Sequence, residues 1–310
     1  MAEALILVPL DGSELAEAAL PYAAALAGAY GARLSLLGVV QHEPASGAFG
    51  LPPQEWLPVE QAQQRQLRAY LRATAKRLGA SLVAGVHTQS GDPVERILRA
   101  ARRRDVRATV MATHGRGGFK RLILGSVADK VMRLATGPVL LVGSGAGRRQ
   151  LQLRSLAVPL DGSALAEQAL PAATELAQAL AVRLLLLRVE PLLLVPFTTG
   201  AEYLPYPATL EQEALAAAQA YLDTTQQRLP AGVAAETALL RGAPADTIAS
   251  YVRERSVDLV VMTTHGRGGL RRLALGSTAD RLVRAGLPVL LLRSAVPAPA
   301  RATHLSTENA

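Results

Sequence analysis

An internal duplication constrains this chain more than any other feature. Residues 8–21 read VPLDGSELAEAALP and residues 158–171 read VPLDGSALAEQALP, alike at 12 of 14 positions. Residues 112–126 (ATHGRGGFKRLILGS) and 263–277 (TTHGRGGLRRLALGS) agree at 11 of 15. The offsets are 150 and 151 residues, and Gly91 recurs as Gly242. A period this long is a duplicated domain rather than a short solenoid repeat, and 310 residues is a length for about two domains. The expected units are 1–145 and 153–296, joined by a Gly/Ser/Arg/Gln-rich linker over 143–152. Residues 297–310, Pro/Ala-rich and then polar, read as a disordered tail.

Within each unit, strand-like and helix-like runs alternate. In the first, strands are expected at 5–9, 33–40, 82–89, 108–112 and 139–142. Between them, Ser13 can cap a helix that puts Leu15, Ala18, Ala19 and Tyr22 on one face. Further helices are expected at 59–78, around Val94, Ile97, Leu98 and Ala101, and at 126–134. A long loop covers 41–58. Such alternation implies an α/β fold, a parallel sheet covered by helices on both faces, with right-handed crossovers.

Composition excludes several classes of function. There is no cysteine, so no disulfide framework, thiolate metal site or cysteine nucleophile. No basic segment precedes the first strand as in a secretory leader, and a cytoplasmic location is the expectation. The most apolar stretch, near 184–197, is interrupted by Arg188 and Glu190 and is too short to cross a bilayer, so no membrane partner is expected. A net charge of +8 suits anionic ligands without choosing among them.

Two segments carry the chemistry. The loop after the fourth strand reads His114-Gly115-Arg116-Gly117-Gly118, followed by Gly125-Ser126-Val127; its copy is His265-Gly266-Arg267-Gly268-Gly269, then Gly276-Ser277-Thr278. Glycines allow close backbone approach to a phosphate. Ser126 and Ser277 open helices whose free N–H groups favour an anion, and Arg116 and Arg267 can add charge-assisted bonds. The second segment is Pro9-Leu10-Asp11-Gly12-Ser13, with its copy Pro159-Leu160-Asp161-Gly162-Ser163, at the end of the first strand of each unit. Ligands bind at that edge of open parallel sheets, which places Asp11 and Asp161 to meet a ribose, an adenine or a metal. Alternatively each Asp braces a turn and each Ser caps a helix.

His114 and His265 have no neighbouring nucleophile in sequence and read as loop residues, and no zinc-type His spacing occurs. The run Arg96, Arg99, Arg102, Arg103, Arg104 and Arg107 is replaced in the second copy by Thr247, Ser250, Arg253, Glu254, Arg255 and Asp258. It lacks interleaved aromatics for base stacking. It reads as a solvated helix face, and no nucleic-acid partner is expected.

At these residues the chain resembles the universal stress protein family in its tandem form, over roughly 3–144 and 153–294. The resemblance implies, in each half, an open five-stranded parallel sheet of order 3-2-1-4-5 of the adenine nucleotide α-hydrolase type. It also implies an ATP site between the first and fourth strands, with or without Mg2+. The family's ATP-binding pattern, glycine, two residues, glycine, nine residues, glycine, then Ser or Thr, is met at Gly115, Gly125 and Ser126 and at Gly266, Gly276 and Ser277. It departs at the first glycine, where Ala112 and Thr263 stand. The resemblance further implicates Gly118 and Gly269 in the loops, and Val39 or Val40, with Val189 as counterpart, as an adenine wall. The long loops 41–58 and 191–207 are placed to fold over the openings. The fifth strands, Val139–Val142 and its copy after Pro288, imply a homodimer or an intrachain pseudo-dimer.

The leading expectation is therefore an adenine nucleotide-binding module in stress response or signalling, with little or no catalysis, because no general base is identifiable. A second reading is a scaffold that has lost the nucleotide and acts through protein–protein contacts; Ala112 and Thr263 favour it. A third, adenylyl transfer, is opposed by Pro-Leu-Asp-Gly-Ser standing where such enzymes carry paired histidines.

Overall fold

The computed structural model describes residues 3–41, 53–113, 124–143, 151–191, 194–196, 203–205, 208–264 and 276–293. The linker tip 144–150 and the tail 297–310 lie outside the described residues. The first half runs β1 (Leu5–Pro9), α1 (Glu14–Glu17), α2 (Leu20–Ala29), β2 (Arg33–Val40), α3 (Pro53–Leu78), β3 (Val83–Ser90), α4 (Pro93–Ala101), β4 (Val106–Ala112), α5 (Ser126–Leu134), β5 (Val139–Val142). The second repeats it as β6 (Ser155–Pro159), α6 (Ala164–Glu167), α7 (Leu170–Leu180), β7 (Arg183–Glu190), α8 (Ala208–Gln227), β10 (Ala235–Arg241), α9 (Pro244–Glu254), β11 (Leu259–Thr263), α10 (Ser277–Arg284) and β12 (Val289–Leu292). Between β7 and α8 it adds a small antiparallel pair, β8 (Leu194–Pro196) with β9 (Tyr203–Pro205).

Central strands β1, β5 and β12 are buried along their whole length, as expected for parallel strands covered on both faces. Helices α2, α3, α7 and α8 pack one face and α4, α5, α9 and α10 the other, each face carrying one apolar cluster that runs through both halves. The helix expected after Ser13 breaks at Ala18–Ala19. Pro21 has no N–H to offer the carbonyl of Glu17, so α2 restarts around it. Helix α3 begins at Pro53, earlier than expected, and carries Pro58 within it; the loop before it is correspondingly shorter than the sequence implies.

The strand order is β10-β7-β6-β11-β12-β5-β4-β1-β2-β3. Each half thus has the expected order 3-2-1-4-5, and the two five-stranded units merge into one ten-stranded sheet. The join is antiparallel, β5 against β12, with Leu140 opposite Leu290. Every other pairing in this sheet is parallel. Leu140, Leu141, Val142, Val289 and Leu290 are at most 0 % exposed. Full burial of such a side chain stabilises by about 1.5–3 kcal/mol.

Charged groups flank the join. Arg133 Nε donates to Asp129 Oδ2 (3.0 Å) and Arg284 Nε to Asp280 Oδ2 (2.7 Å). Crossed contacts, Arg133 to Asp280 (3.5 Å) and Arg284 to Asp129 (3.6 Å), tie α5 to α10. On the opposite face Arg107 pairs with Glu175 of α7 and lies over the ring of Tyr30, which caps the C-terminal end of α2. Burial, with the Glu175 charge, pushes the Tyr30 phenol up to about 12.

The join is not symmetric in detail. Arg293 Nε donates to the Ala135 carbonyl (2.5 Å) and its Nη2 to that of Arg133, closing the end of α5 where carbonyls lack helical partners. Burial lowers the Arg293 pKa from its usual value. At Gly143, by contrast, the chain lies directly on the backbone of Gly286, and an added Cβ would overlap the Gly286 carbonyl. Gly143→Ala is therefore expected to destabilise the protein by about 1–3 kcal/mol through overpacking. Gly137→Ala, with no atom within 4 Å of its Cβ, should be near neutral; thermal unfolding of the two variants checks the contrast.

Candidate functional site

The site is built at the C-terminal ends of β1 and β4, which are parallel neighbours with Leu7 opposite Thr109. Pro9, Leu10 and Asp11 therefore leave the sheet beside Ala112 and Thr113. Leu10 is buried and its N–H donates to the Leu37 carbonyl (2.8 Å), which pins the start of the turn. Gly12 then takes φ +86°, a conformation that favours glycine. Asp11 Oδ1 accepts from both the Ser13 N–H (2.9 Å) and the Ser13 hydroxyl (2.6 Å). The Ser13 hydroxyl oxygen in turn accepts from the Ala16 N–H (3.2 Å), capping α1. The second copy repeats each contact: Ser163 N–H and hydroxyl to Asp161 Oδ1 at 2.9 and 2.6 Å, and Ala166 N–H to Ser163 at 3.1 Å, with Gly162 at φ +82°. The turn-bracing and capping roles weighed for these residues are thus present, and one oxygen of each carboxylate is occupied by them.

Short helix α1 is held from the far side. Glu17 accepts from the Tyr70 hydroxyl (2.8 Å) and from Arg77 (2.5 Å), both on α3. Glu167 accepts from Tyr221 (2.9 Å) and Arg228 (3.3 Å) on α8. Burial and the Glu167 hydrogen bond push the Tyr221 phenol up to about 12; Tyr70 is raised for the same reasons.

The second wall is the base of the loop after β4. Thr113, 2 % exposed, donates its N–H to the Val142 carbonyl (2.8 Å), and its own carbonyl accepts from the Gly125 N–H (2.8 Å). Thr264 does the same with Leu292 (2.9 Å) and Gly276 (2.6 Å). The intervening loop thus departs from and returns to one point on the sheet edge. Helices α5 and α10 start there with glycine N-caps and no side-chain cap, unlike α1 and α6. Ser126 and Ser277 are exposed, while Val127 packs partly against the core. Thr278, on the same first turn as Ser277, is half-buried. Thr113 and Thr264, whose carbonyls close the loops, were not singled out from sequence; their repetition beside the glycine motif was the available signal.

Ala112 and Thr263, at the departures from the glycine pattern, end β4 and β11 and are 7 % and 4 % exposed. Side-chain alternation puts Ala112 on the same face as Val110, the face carrying α2. Val39 and Val189 are half-buried on the opposite face, near the ends of β2 and β7, and Val40 is buried. Pro159 and Leu160 reproduce Pro9 and Leu10, with Leu160 N–H donating to Leu187 (2.7 Å). His114, Gly115, Arg116, Gly118, His265, Gly266, Arg267 and Gly269 lie outside the described residues. No cluster of three or more His, Asp or Glu suited to a metal occurs among the described residues. No described helix is long and apolar enough to cross a membrane.

Removing the Ser13 or Ser163 hydroxyl by alanine should each cost about 1 kcal/mol, the usual worth of an N-cap. Urea unfolding of the two single variants and the double variant measures it, and near-additive losses are expected for sites this far apart.

Residues 5–143 and 153–293 each match the universal stress protein family. Universal stress protein Rv2005c of Mycobacterium tuberculosis is 27% identical over 293 residues, covering 93% of this chain and 96% of that protein. A universal stress protein of Thermus aquaticus is 39% identical over 142 residues, 44% of this chain and 96% of its own. Among solved structures, a universal stress protein from Archaeoglobus fulgidus shares the fold over 94% of this chain and 96% of its own, with a TM-score of 0.64 at 18% identity.

Proposed function

The chain belongs to the universal stress protein family, and from that premise we propose that each half binds an adenine nucleotide, ATP foremost, where β1 meets β4 and where β6 meets β11. The observation that carries this reading is the twofold occurrence of a glycine-capped helix start beside the Asp-Gly-Ser turn. Where Ser13 fills the N-terminus of α1 with its own hydroxyl, the starts of α5 and α10 hold no side-chain cap. Free N–H groups and the helix dipole favour a phosphate there. The residues fit the group: Asp11 and Asp161 stand at the same edge to take a ribose hydroxyl or Mg2+, and Val39 and Val189 offer apolar surface to adenine.

The proposed output is the bound state rather than turnover, read by a protein partner in stress signalling. The competing scaffold reading rests on Ala112 and Thr263. Burial of both side chains within the fold favours retention of the sites.

Ser126→Pro tests the assignment with little disturbance. Proline is tolerated at the first helical position, and Gly125 already has the extended ψ of 142° that a following proline requires. The change removes the N–H and the hydroxyl aimed at phosphate. A charge-assisted hydrogen bond is worth about 1.5–3 kcal/mol, so ATP affinity at the first site should fall roughly 10- to 100-fold. Ser277→Pro should act likewise at the second. Calorimetric titration with ATP and Mg2+ reads both; unchanged affinity and stoichiometry in both variants supports the scaffold reading.

A further inference from the structure

The arginine run set aside as a solvated face borders a cleft. It lies between α4 and strands β1–β3, on the face of the sheet that carries α4, with Gln64 of α3 also in its lining and a volume of about 620 Å³. That is within the range of small-molecule sites. Leu5, Leu7 and Leu37 form its apolar floor. Arg96 and Arg99 of α4, with Arg103 just beyond its end, line one side of it. Two of these are engaged: Arg96 Nε donates to the Ser90 carbonyl (3.0 Å) and Arg103 pairs with Asp105 (2.6 Å). Arg99 has no ion-pair partner among the described residues.

A hydroxyl also lines the cleft. Ser35 lines it and is only 5% exposed. A hydroxyl facing such a cleft can donate to or accept from a ligand.

The residues that frame the cleft differ in the second half. The counterpart of Ser35 is Leu185 and that of Ala100, also in the lining, is Tyr251. Both pack into the apolar cluster on that face. Arg99 and His87 become Ser250 and Ala238. Two small residues stand in one copy against two large ones in the other, and the arginines that border the cleft are absent from the second copy.

We propose that this cleft is a second ligand site, confined to the first half, for a small organic anion. Its apolar body lies on Leu5, Leu7 and Leu37, and its phosphate or carboxylate meets Arg99 and the Ser35 hydroxyl. The lining shares no residue with the Asp11, Ala112 and Gly125 region, so the proposal stands apart from nucleotide binding.

The test titrates the full-length, ¹⁵N-labelled chain with phenyl phosphate, phenylacetate and, as an uncharged control, benzyl alcohol. At least one of the anions should shift the Leu37, Ala100 and Val106 amides saturably, and the stronger of the two identifies the preferred head group. Benzyl alcohol should bind about tenfold more weakly, the loss of one charge-assisted contact. Arg99→Ala should reproduce that tenfold loss. Ala100→Tyr, which installs the second-half residue, should abolish the shifts while leaving those of second-half amides unchanged. Shifts that fail to saturate, that map only near Gly125 or Gly276, or that persist in both variants overturn the proposal.

Discussion

The antiparallel pairing of β5 with β12 is the contact on which the rest of the molecule depends. Each is a four-residue apolar strand that would otherwise end its sheet as an exposed edge, a surface prone to unwanted pairing. Joined, they become the buried centre of a ten-stranded sheet, and both apolar clusters run through the join. The close seat of Gly143 on Gly286, the hold of Arg293 on the end of α5 and the crossed Asp–Arg pairs all serve this line. Because the join is antiparallel while each half is parallel, the strand ends that carry Asp11 and Asp161 face opposite ends of the sheet. The two candidate sites are thereby separated, and each is completed by its own half.

Within a half, two helix starts divide the work. The start of α1 is self-contained: Asp11 braces Ser13, Ser13 caps the helix, and Glu17 fastens it to Tyr70 and Arg77. The start of α5 is pinned through backbone, Gly125 to Thr113 and Thr113 to Val142, with no side-chain cap among the described residues. The first fixes the geometry of the edge; the second leaves donors for an anion. That the same division recurs with near-identical distances in the second half follows from the duplicated sequence.

Much of this was legible in the sequence because it is local or repeated. The strand runs, the Asp-Gly-Ser turn and the glycine-capped helix starts depend on neighbours within a few residues, and the duplication shows each twice. What was not legible depends on distant contacts or on geometry that periodicity hides. The break at Ala18–Ala19 follows from Pro21 acting on Glu17. The early start of α3 runs against the expectation that Pro58 sits outside the helix. The β8–β9 pair forms within the segment taken as loop in the second half. The cleft beside α4 needed the sheet register to bring Ser35 and Ala100 together, and the arginines alone gave no hint of the space. The universal stress protein resemblance was carried by motif spacing and holds over both halves.

Assignment of both strand ends to nucleotide is tested most directly by counting adenine nucleotide per chain: the purified protein is denatured and the released small molecules are separated and quantified. One to two adenine nucleotides per chain is the expected result, with two meaning that Ala112 and Thr263 are both accommodated. None released, together with no uptake when ATP and Mg2+ are added, contradicts the assignment and leaves the paired sheet as a scaffold for protein contacts.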